Sequence, residues 1–589
     1  MNFTRYTIFF SMALTVLLVQ YSNAQLTYEV GLREQLDKAV VIVEGKVLDS
    51  KGIWDANYAN IYTVHTVQVS KVYKGKNVVK VKVITAGGSV GLEAETVSPS
   101  LSLNKLDYGI FMLIPSDLEL TENFNEDVFY AYSDLQGYYQ FDAVTELACN
   151  SVKQYSIEGL TADINKFTGK QGIGFRTFGH TIGGSFAETP DDNFDALAIN
   201  GVAPQFVTAG TQSAITISGS GFGSNKGQIR FKDADTGGNT TYAALDSQII
   251  SWSNNEIKVE VPTRAGDGVV QVVRNNGTAI NSSETLNVNY AETTILNDVL
   301  SPGLPIAYPN QHINDNGTGG YEFMFSSMFA MNTDAVSAFT KAMNIWTCQT
   351  DMNWKLGGTS TIDATSSDGV NVVRFDADFE LPVGILGRTT VRSSGCYVGS
   401  TLQWYVSEID LRFDDGAYWY FGNSEPSSSQ YDFESIALHE LGHGRLLSHV
   451  INTNEVMHYN LGQGEVSRVL SAYDVDCGND IHARSISGSY CSQPSMTNKG
   501  CTYGIDKVDT FMVDIYPNPA TNKLFISNDQ GKICKQVSLY DVNGRLVIQV
   551  TNSSKKDVNI MGLNSVTKGI YMLKLEFDDT VVIRKVLVE

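Results

Sequence analysis

Basic residues are scarce in this chain: 42 lysines and arginines stand against 64 aspartates and glutamates, a formal net charge of -22. No lysine or arginine block interrupts that balance, which argues against nucleic acid or anionic membrane as a partner. Charged residues make up only 18% of the chain, beside 52 Gly, 28 Tyr and 27 Phe, a composition of strand-rich globular domains rather than disorder. After residue 24 no apolar run approaches the roughly 18 to 20 residues that a membrane-spanning helix needs, so no transmembrane segment is expected once the leader is removed. Cysteine is sparse, with seven at positions 149, 348, 396, 477, 491, 501 and 534. Histidine is nearly as rare at eight, yet three of the eight fall within eleven residues.

The first 24 residues read as a secretory signal. Arg5 supplies the positive start, Ile8 to Val19 the apolar stretch, and Ser22-Asn23-Ala24 the small-residue cleavage site. Export permits disulfides, and proximity suggests Cys348 with Cys396 and Cys491 with Cys501, leaving odd thiols. At 589 residues the chain exceeds one core, and three to five domains are expected.

The clustered histidines lie in His439-Glu440-Leu441-Gly442-His443-Gly444-Arg445-Leu446-Leu447-Ser448-His449. On an α-helix, residues i and i+4 sit about 40° apart around the axis and one turn along it, so His439 and His443 can converge on one ion. Glu440 stands beside them as a general base and acid for water attack on a peptide bond. His449 cannot join along the same helix, because six residues further on it would lie roughly 9 Å away axially. A break in the helix is therefore predicted before it. Phe433, Ile436, Ala437 and Leu441 give the helix an apolar face, and Asp432 is its expected N-cap.

The string resembles the zinc-binding pattern of the metzincin peptidases, HExxHxxGxxH, which is followed by a turn carrying a methionine beneath the metal. The resemblance implies zinc held by His439, His443 and His449, with Glu440 catalytic. Glu455-Val456-Met457-His458-Tyr459 then looks like the methionine turn, with Met457 supporting the site and Tyr459 assisting as a second catalytic group. His458 reads as a surface residue. The departure is Leu446, where the family has glycine: a leucine in the left-handed conformation that ends the helix costs about 1–2 kcal/mol. Acidic residues such as Glu455 or Glu465 are the alternatives for the third ligand. The rival to an enzyme is a surface adhesin carrying a degenerate peptidase domain, against which the intact Glu440 speaks.

Around this motif the chain divides into blocks. Residues 25–115 alternate in period two, as in Val40 to Val47 and Val78 to Val83, predicting a small β barrel or sandwich. Residues 116–200 read as an irregular linker or pro-like region, with Phe175 to Phe186 rich in glycine. Cys149 is the lone upstream thiol that could cap a metal, although a buried thiol needs no such role. Residues 201–291, with Ile215-Thr216-Ile217-Ser218-Gly219-Ser220-Gly221-Phe222-Gly223 and Ile257 to Pro262, resemble the immunoglobulin-like TIG domain, which implies a spacer or a contact module.

The α+β peptidase domain is placed at 295–485. A strand is expected at Tyr321 to Phe325, a helix at Asp334 to Trp346, strands at Val370 to Phe375 and Glu408 to Phe413, and a closing helix at Val466 to Val475. This order is similar to the matrixin branch of the metzincins, in which a strand edge holds an extended protein or peptide substrate. Asp315-Asn316-Gly317 and Asp414-Asp415-Gly416 could donate oxygens to calcium, although Asp-Gly turns need no ion. After a linker at 486–512, residues 513–589 resemble the type IX secretion sorting domain of Bacteroidetes-type bacteria. The phrases that match are Ile515-Tyr516-Pro517-Asn518-Pro519, Val537 to Arg545 and Lys568 to Leu573. The resemblance implies export across the outer membrane through the type IX machinery and a C-terminal β-sandwich, which the Asn543-Gly544 turn supports.

Overall fold

A computed structural model describes residues 28–142, 144–169, 172–174, 196–377, 380–501, 513–528, 534–541, 545–551, 558–564, 566–577 and 581–589. The signal segment, the Phe175 to Phe186 stretch and the Asn543-Gly544 turn lie outside them. Two compact units result, Met1–Gly500 and Cys501–Glu589. No described helix is long and apolar enough to cross a membrane.

The first unit begins with a closed five-stranded barrel. Val41–Trp54 pairs with Ile61–Lys74, which pairs with Lys80–Ala86; Val128–Ala131 and Tyr108–Pro115 return to Val41–Trp54. Every pairing is antiparallel except that of Lys80–Ala86 with Val128–Ala131. Alternation puts Val43, Val47, Val67, Val69, Val83, Phe111 and Leu113 into one buried cluster, while Ile42, Ile110 and Met112 face outward against Leu160 and Ile164. Those two leucine and isoleucine side chains belong to the helix Ile157–Thr168, capped at Ser156 by its own side chain. Three further strands, Tyr138–Asp142, Leu147–Cys149 and Gln154–Ser156, extend the same sheet. The stretch expected to be irregular from residue 116 is thus part of the N-terminal domain up to residue 174. Its strands are only two to five residues long, too short for periodicity to reveal.

A two-layer sandwich follows. Ala198–Ala203, Ala214–Ser220, Glu256–Glu260 and Ile249–Trp252 form one sheet, and Phe206–Ala209, Ala279–Ala291, Ala265–Val273, Gln228–Asp233 and Thr241–Ala243 form the other. Its apolar core is contiguous with that of the next domain, so that Ile217 and Val272 belong to the same cluster as Trp346 and Leu441.

That next domain is α+β. Its sheet runs in the order Trp354–Ser360, Tyr321–Ser326, Asn371–Phe375, Thr401–Phe413, Gly387–Val398, the last strand antiparallel to the others. Helix Thr333–Gln349 packs against helix Phe433–Gly444, where the Trp346 indole N–H donates to the Leu438 carbonyl at 2.8 Å. Burying Trp346 and Trp354 completely anchors this layer, each side chain worth roughly 1.5–3 kcal/mol. The closing helix is Ala472–Ile486, later than the expected Val466 to Val475. Ser471 caps it and Asp474 completes a capping box, a stronger start signal than the apolar spacing upstream.

A disulfide joins Cys396 to Cys491 with Cα atoms 5.6 Å apart, which overturns both expected pairs. Cys149, Cys477 and Cys534 are buried free thiols. Residues up to about 499, expected to be linker, instead pack on this domain: Met496 is buried and its N–H donates to the Ser485 carbonyl. The second unit, by itself, is the expected sandwich, with a three-stranded and a four-stranded sheet around Leu524, Leu539, Leu573 and Val586.

Candidate metal centre

Helix Phe433–Gly444 is buried along its whole length. Asp432 caps it through Oδ2, which accepts from the Ser435 N–H at 3.0 Å, as expected from sequence. After Gly444 the chain leaves the helix at Leu446, whose φ of 72° is left-handed. The Leu447 N–H bonds back to Gly442, and the Leu446 carbonyl accepts from Thr293 N–H at 2.8 Å. The strain expected of a leucine here is therefore present, offset by burial of its side chain, which is 1% exposed. This turn brings His449 back to the helix.

The Nε2 atoms of His439, His443 and His449 lie 3.0–3.1 Å from one another. Each imidazole is held from behind at Nδ1: His439 by the Val456 carbonyl at 2.7 Å, His443 by the Leu447 carbonyl at 3.0 Å, His449 by Asp235 Oδ1 at 2.9 Å. All three partners are acceptors, so each Nδ1 carries the proton and each Nε2 presents a lone pair. Three converging lone pairs repel in the absence of a cation, and a cation about 2.0–2.1 Å from each satisfies all of them. Burial also holds His439 well below the usual histidine range and His443 down to about 3, which keeps the rings in the neutral, ligating form.

Glu440 is fully buried beside the triad. Burial pushes its carboxyl up to about 8, against the hydrogen bond from Thr389 and the charge of Arg388. Its Oε2 accepts from Thr389 Oγ1 at 2.7 Å, and Oε1 has no partner among the described residues. Gly387, on the same strand as Thr389, leaves room for this carboxylate: a Cβ there would come within 3.0 Å of it.

Met457 lies under the helix with its sulfur against Gly442, and is 1% exposed. The turn that carries it is pinned by Asp474, which accepts from the Val456 N–H at 2.9 Å. Tyr459 rests its phenol on Gly237 of the preceding sandwich. His458, expected at the surface, is half-buried and pushed down to about 4 by burial. Glu455 bonds Asn452 and Ser471, and Glu465 accepts from Gly462 N–H; neither joins the histidine cluster. Cys149 ends the strand Leu147–Cys149 beside the barrel, pushed up to about 11 by burial, and is not in the histidine cluster. Of the two expected calcium positions, Asp414-Asp415-Gly416 gains a member, since carboxylate oxygens of Asp376, Asp414 and Asp415 lie within 4.8 Å of one another, while Asp315 joins no such group among the described residues. Two of these carboxylates already accept backbone N–H groups: Asp376 from Asp415 and Leu381, Asp414 from Gly416.

Three residues that hold the site escape sequence reasoning: Thr389, Asp235 and Asp474. Asp235, 214 positions before His449, belongs to a buried network in which Arg264 pairs with Asp233 at 2.7 Å and with Asp235 at 3.2 Å. Asp474 was hidden inside a helix whose start was misplaced. A capping box at Ser471 was the one local signal for it.

Three family models match the chain: IPT/TIG domain over residues 197–290, Matrixin over 318–482, and Secretion system C-terminal sorting domain over 514–589. No curated protein matches it. Among solved structures it is similar to a chain described as "Biofilm associated protein - BSP domain", at 9% identity over 93% of this chain and 81% of that one; the TM-score of 0.12 carries no argument. The chain is thus a multidomain protein in which a matrixin domain follows a TIG domain and precedes a sorting domain. The sorting domain marks it for type IX secretion across the outer membrane, and so for a secreted or surface location.

Proposed function

We propose that this exported matrixin-domain protein is a zinc endopeptidase acting on protein or peptide substrates. The observation that carries the reading is the convergence of three Nε2 lone pairs whose opposite ring nitrogens are all committed to acceptors. His439, His443 and His449 are the residues that would hold zinc. Bound there, zinc supplies Lewis acidity toward a peptide carbonyl and toward water.

The rest of the chemistry falls to the chain. In its ionised form Glu440 takes a proton at its unpartnered Oε1 from the attacking water and returns it to the nitrogen of the departing amine. Thr389 fixes the other oxygen, so the carboxylate cannot rotate away. Asp235 accepts from His449 Nδ1 and so fixes the orientation of its ring. Met457 supports the helix from below. The contact of Tyr459 with Gly237 favours a bracing role over the catalytic one implied by resemblance.

Purified protein should carry one equivalent of zinc by elemental analysis and, once its site is accessible, cleave casein. Glu440→Ala should keep the metal and lose the cleavage. An adhesin with a degenerate site predicts instead that Glu440→Ala changes nothing measurable.

A further inference from the structure

A site that admits a polypeptide needs an open approach, yet the three histidines are 2–5% exposed and Glu440 is 0% exposed. What covers them comes from the N-terminal barrel. Between its strands Lys80–Ala86 and Tyr108–Pro115 the chain makes an excursion, a hairpin of Gly88–Val90 and Glu93–Ser98. The second strand of this hairpin continues the matrixin sheet, pairing antiparallel with its edge strand Gly387–Val398 in a register that runs from Ser394 opposite Glu93 to Thr389 opposite Ser98. Thr389 is the residue that bonds Glu440. The backbone edge beside the general base is therefore already paired.

The strand ends on the metal ligands. Ser98 Oγ lies 3.0 Å from His443 Nε2, a separation like that between the histidine nitrogens themselves. A hydroxyl in this place is not an electrophile, so the occupant is held as an inhibitor and not presented as a substrate. Polar locks fix it on both sides. Arg388, from the edge strand, pairs with Asp134 of the barrel at 2.6 Å, and Ser133 Oγ donates to the Val383 carbonyl at 2.6 Å. Arg392 donates to Asn60 at 2.8 Å and lies 3.6 Å from Glu95 of the strand itself.

We propose that the N-terminal barrel is a built-in inhibitor of the matrixin site, laying Glu93–Ser98 along the substrate edge and the Ser98 hydroxyl over His443 until the barrel is displaced or removed. The inference rests on the peptidase reading above and assigns a role to a domain outside all three family matches. Strand addition supplies main-chain hydrogen bonds that do not depend on side-chain identity, and covalent tethering gives the strand a high effective concentration. An extended peptide can take the same edge only by competing with it.

The test uses the full chain, zinc-loaded, and a fluorescent peptide hydroxamate as probe. Replacing Thr96 and Val97 together by proline removes one ladder donor whichever of the two is bonded, and Asp134→Ala, a milder change outside the strand, loosens the Arg388 lock and the bond to the Leu101 N–H just beyond Ser98. Both should bind the hydroxamate at least about tenfold more tightly than wild type. Hydrolysis of a fluorogenic peptide should rise in parallel. Ser98→Ala should alter the visible spectrum of the cobalt-substituted protein, a readout independent of turnover. Variants that carry one zinc, keep the wild-type circular dichroism and bind the probe no better than wild type overturn the inhibitor. Tight probe binding without hydrolysis leaves the inhibitor standing and removes the catalytic reading. Failure of every form to take up zinc removes both.

Discussion

Two all-β domains touch the same histidine cluster, and they do so in opposite ways. The TIG sandwich shares one contiguous apolar core with the matrixin domain; Ile451 of the latter lies over Gly238 and Gly266 of the former. It reaches the site from behind, through Asp235 on His449. The barrel keeps two cores of its own and meets the matrixin domain through ion pairs, side-chain hydrogen bonds, one added strand and a small apolar cluster in which Leu92 and Ala94 join Leu402 and Trp404. It reaches the site from the front. An apolar seam cannot part without exposing its surface to water, whereas a polar seam exchanges its bonds for bonds to water at small net cost. The TIG domain is thus joined through the larger apolar seam, and the barrel through a seam that is mostly polar, as the proposed displacement requires.

The largest effect expected from breaking this comparison is at the centre that both domains serve. Glu440→Ala should lower peptide hydrolysis by about 10²–10⁴-fold with zinc content unchanged. His449→Ala should lose the bound zinc, while Glu455→Ala and Glu465→Ala retain it; the reverse pattern in elemental analysis would transfer the third ligand to an acid. Asp235→Ala tests whether the TIG domain is part of the site: zinc affinity should fall about 10- to 100-fold in competition with a chelator, and the melting temperature of the metal-free protein should move far less. An unchanged zinc affinity would reduce the sandwich to a spacer. The smallest effect is at the turn that the sandwich latches. In Leu446→Gly, relief of about 1–2 kcal/mol of left-handed strain competes with loss of a buried leucine side chain worth roughly 1.5–3 kcal/mol. Net destabilisation by chemical denaturation is expected, and a stabilised variant would show that strain outweighs burial here.

The parts of the site that were legible in sequence are those fixed by helical geometry and short turns. His439 and His443 share one helical face, Asp432 caps that face, and Met457 returns beneath it within a few residues. The conformation of Leu446 followed from the place of glycine in the related motif. The unreadable parts depend on distant segments. Asp235 stands in a turn after a short strand, with the same local appearance as any acid that caps a loop. Ser98 precedes His443 by 345 positions, in a hairpin that looks like ordinary barrel. The cysteine pairing failed for a related reason: nearness in sequence was used where the joining of Cys396 to Cys491, 95 residues apart, depended on how the C-terminal segment folds back.

The sequence by itself determined that His439 and His443 share a helical face with Glu440 beside them, because the 3.6-residue period places them before any tertiary contact forms. It likewise determined the β character of the flanking domains and the C-terminal sorting domain, through period-two alternation and a phrase-by-phrase resemblance. Only the tertiary structure decided that a TIG carboxylate bonds His449 and that a barrel strand ends on His443. Main-chain hydrogen bonds along a sheet edge accept almost any sequence, so nothing in residues 93 to 98 announces the edge to which they belong.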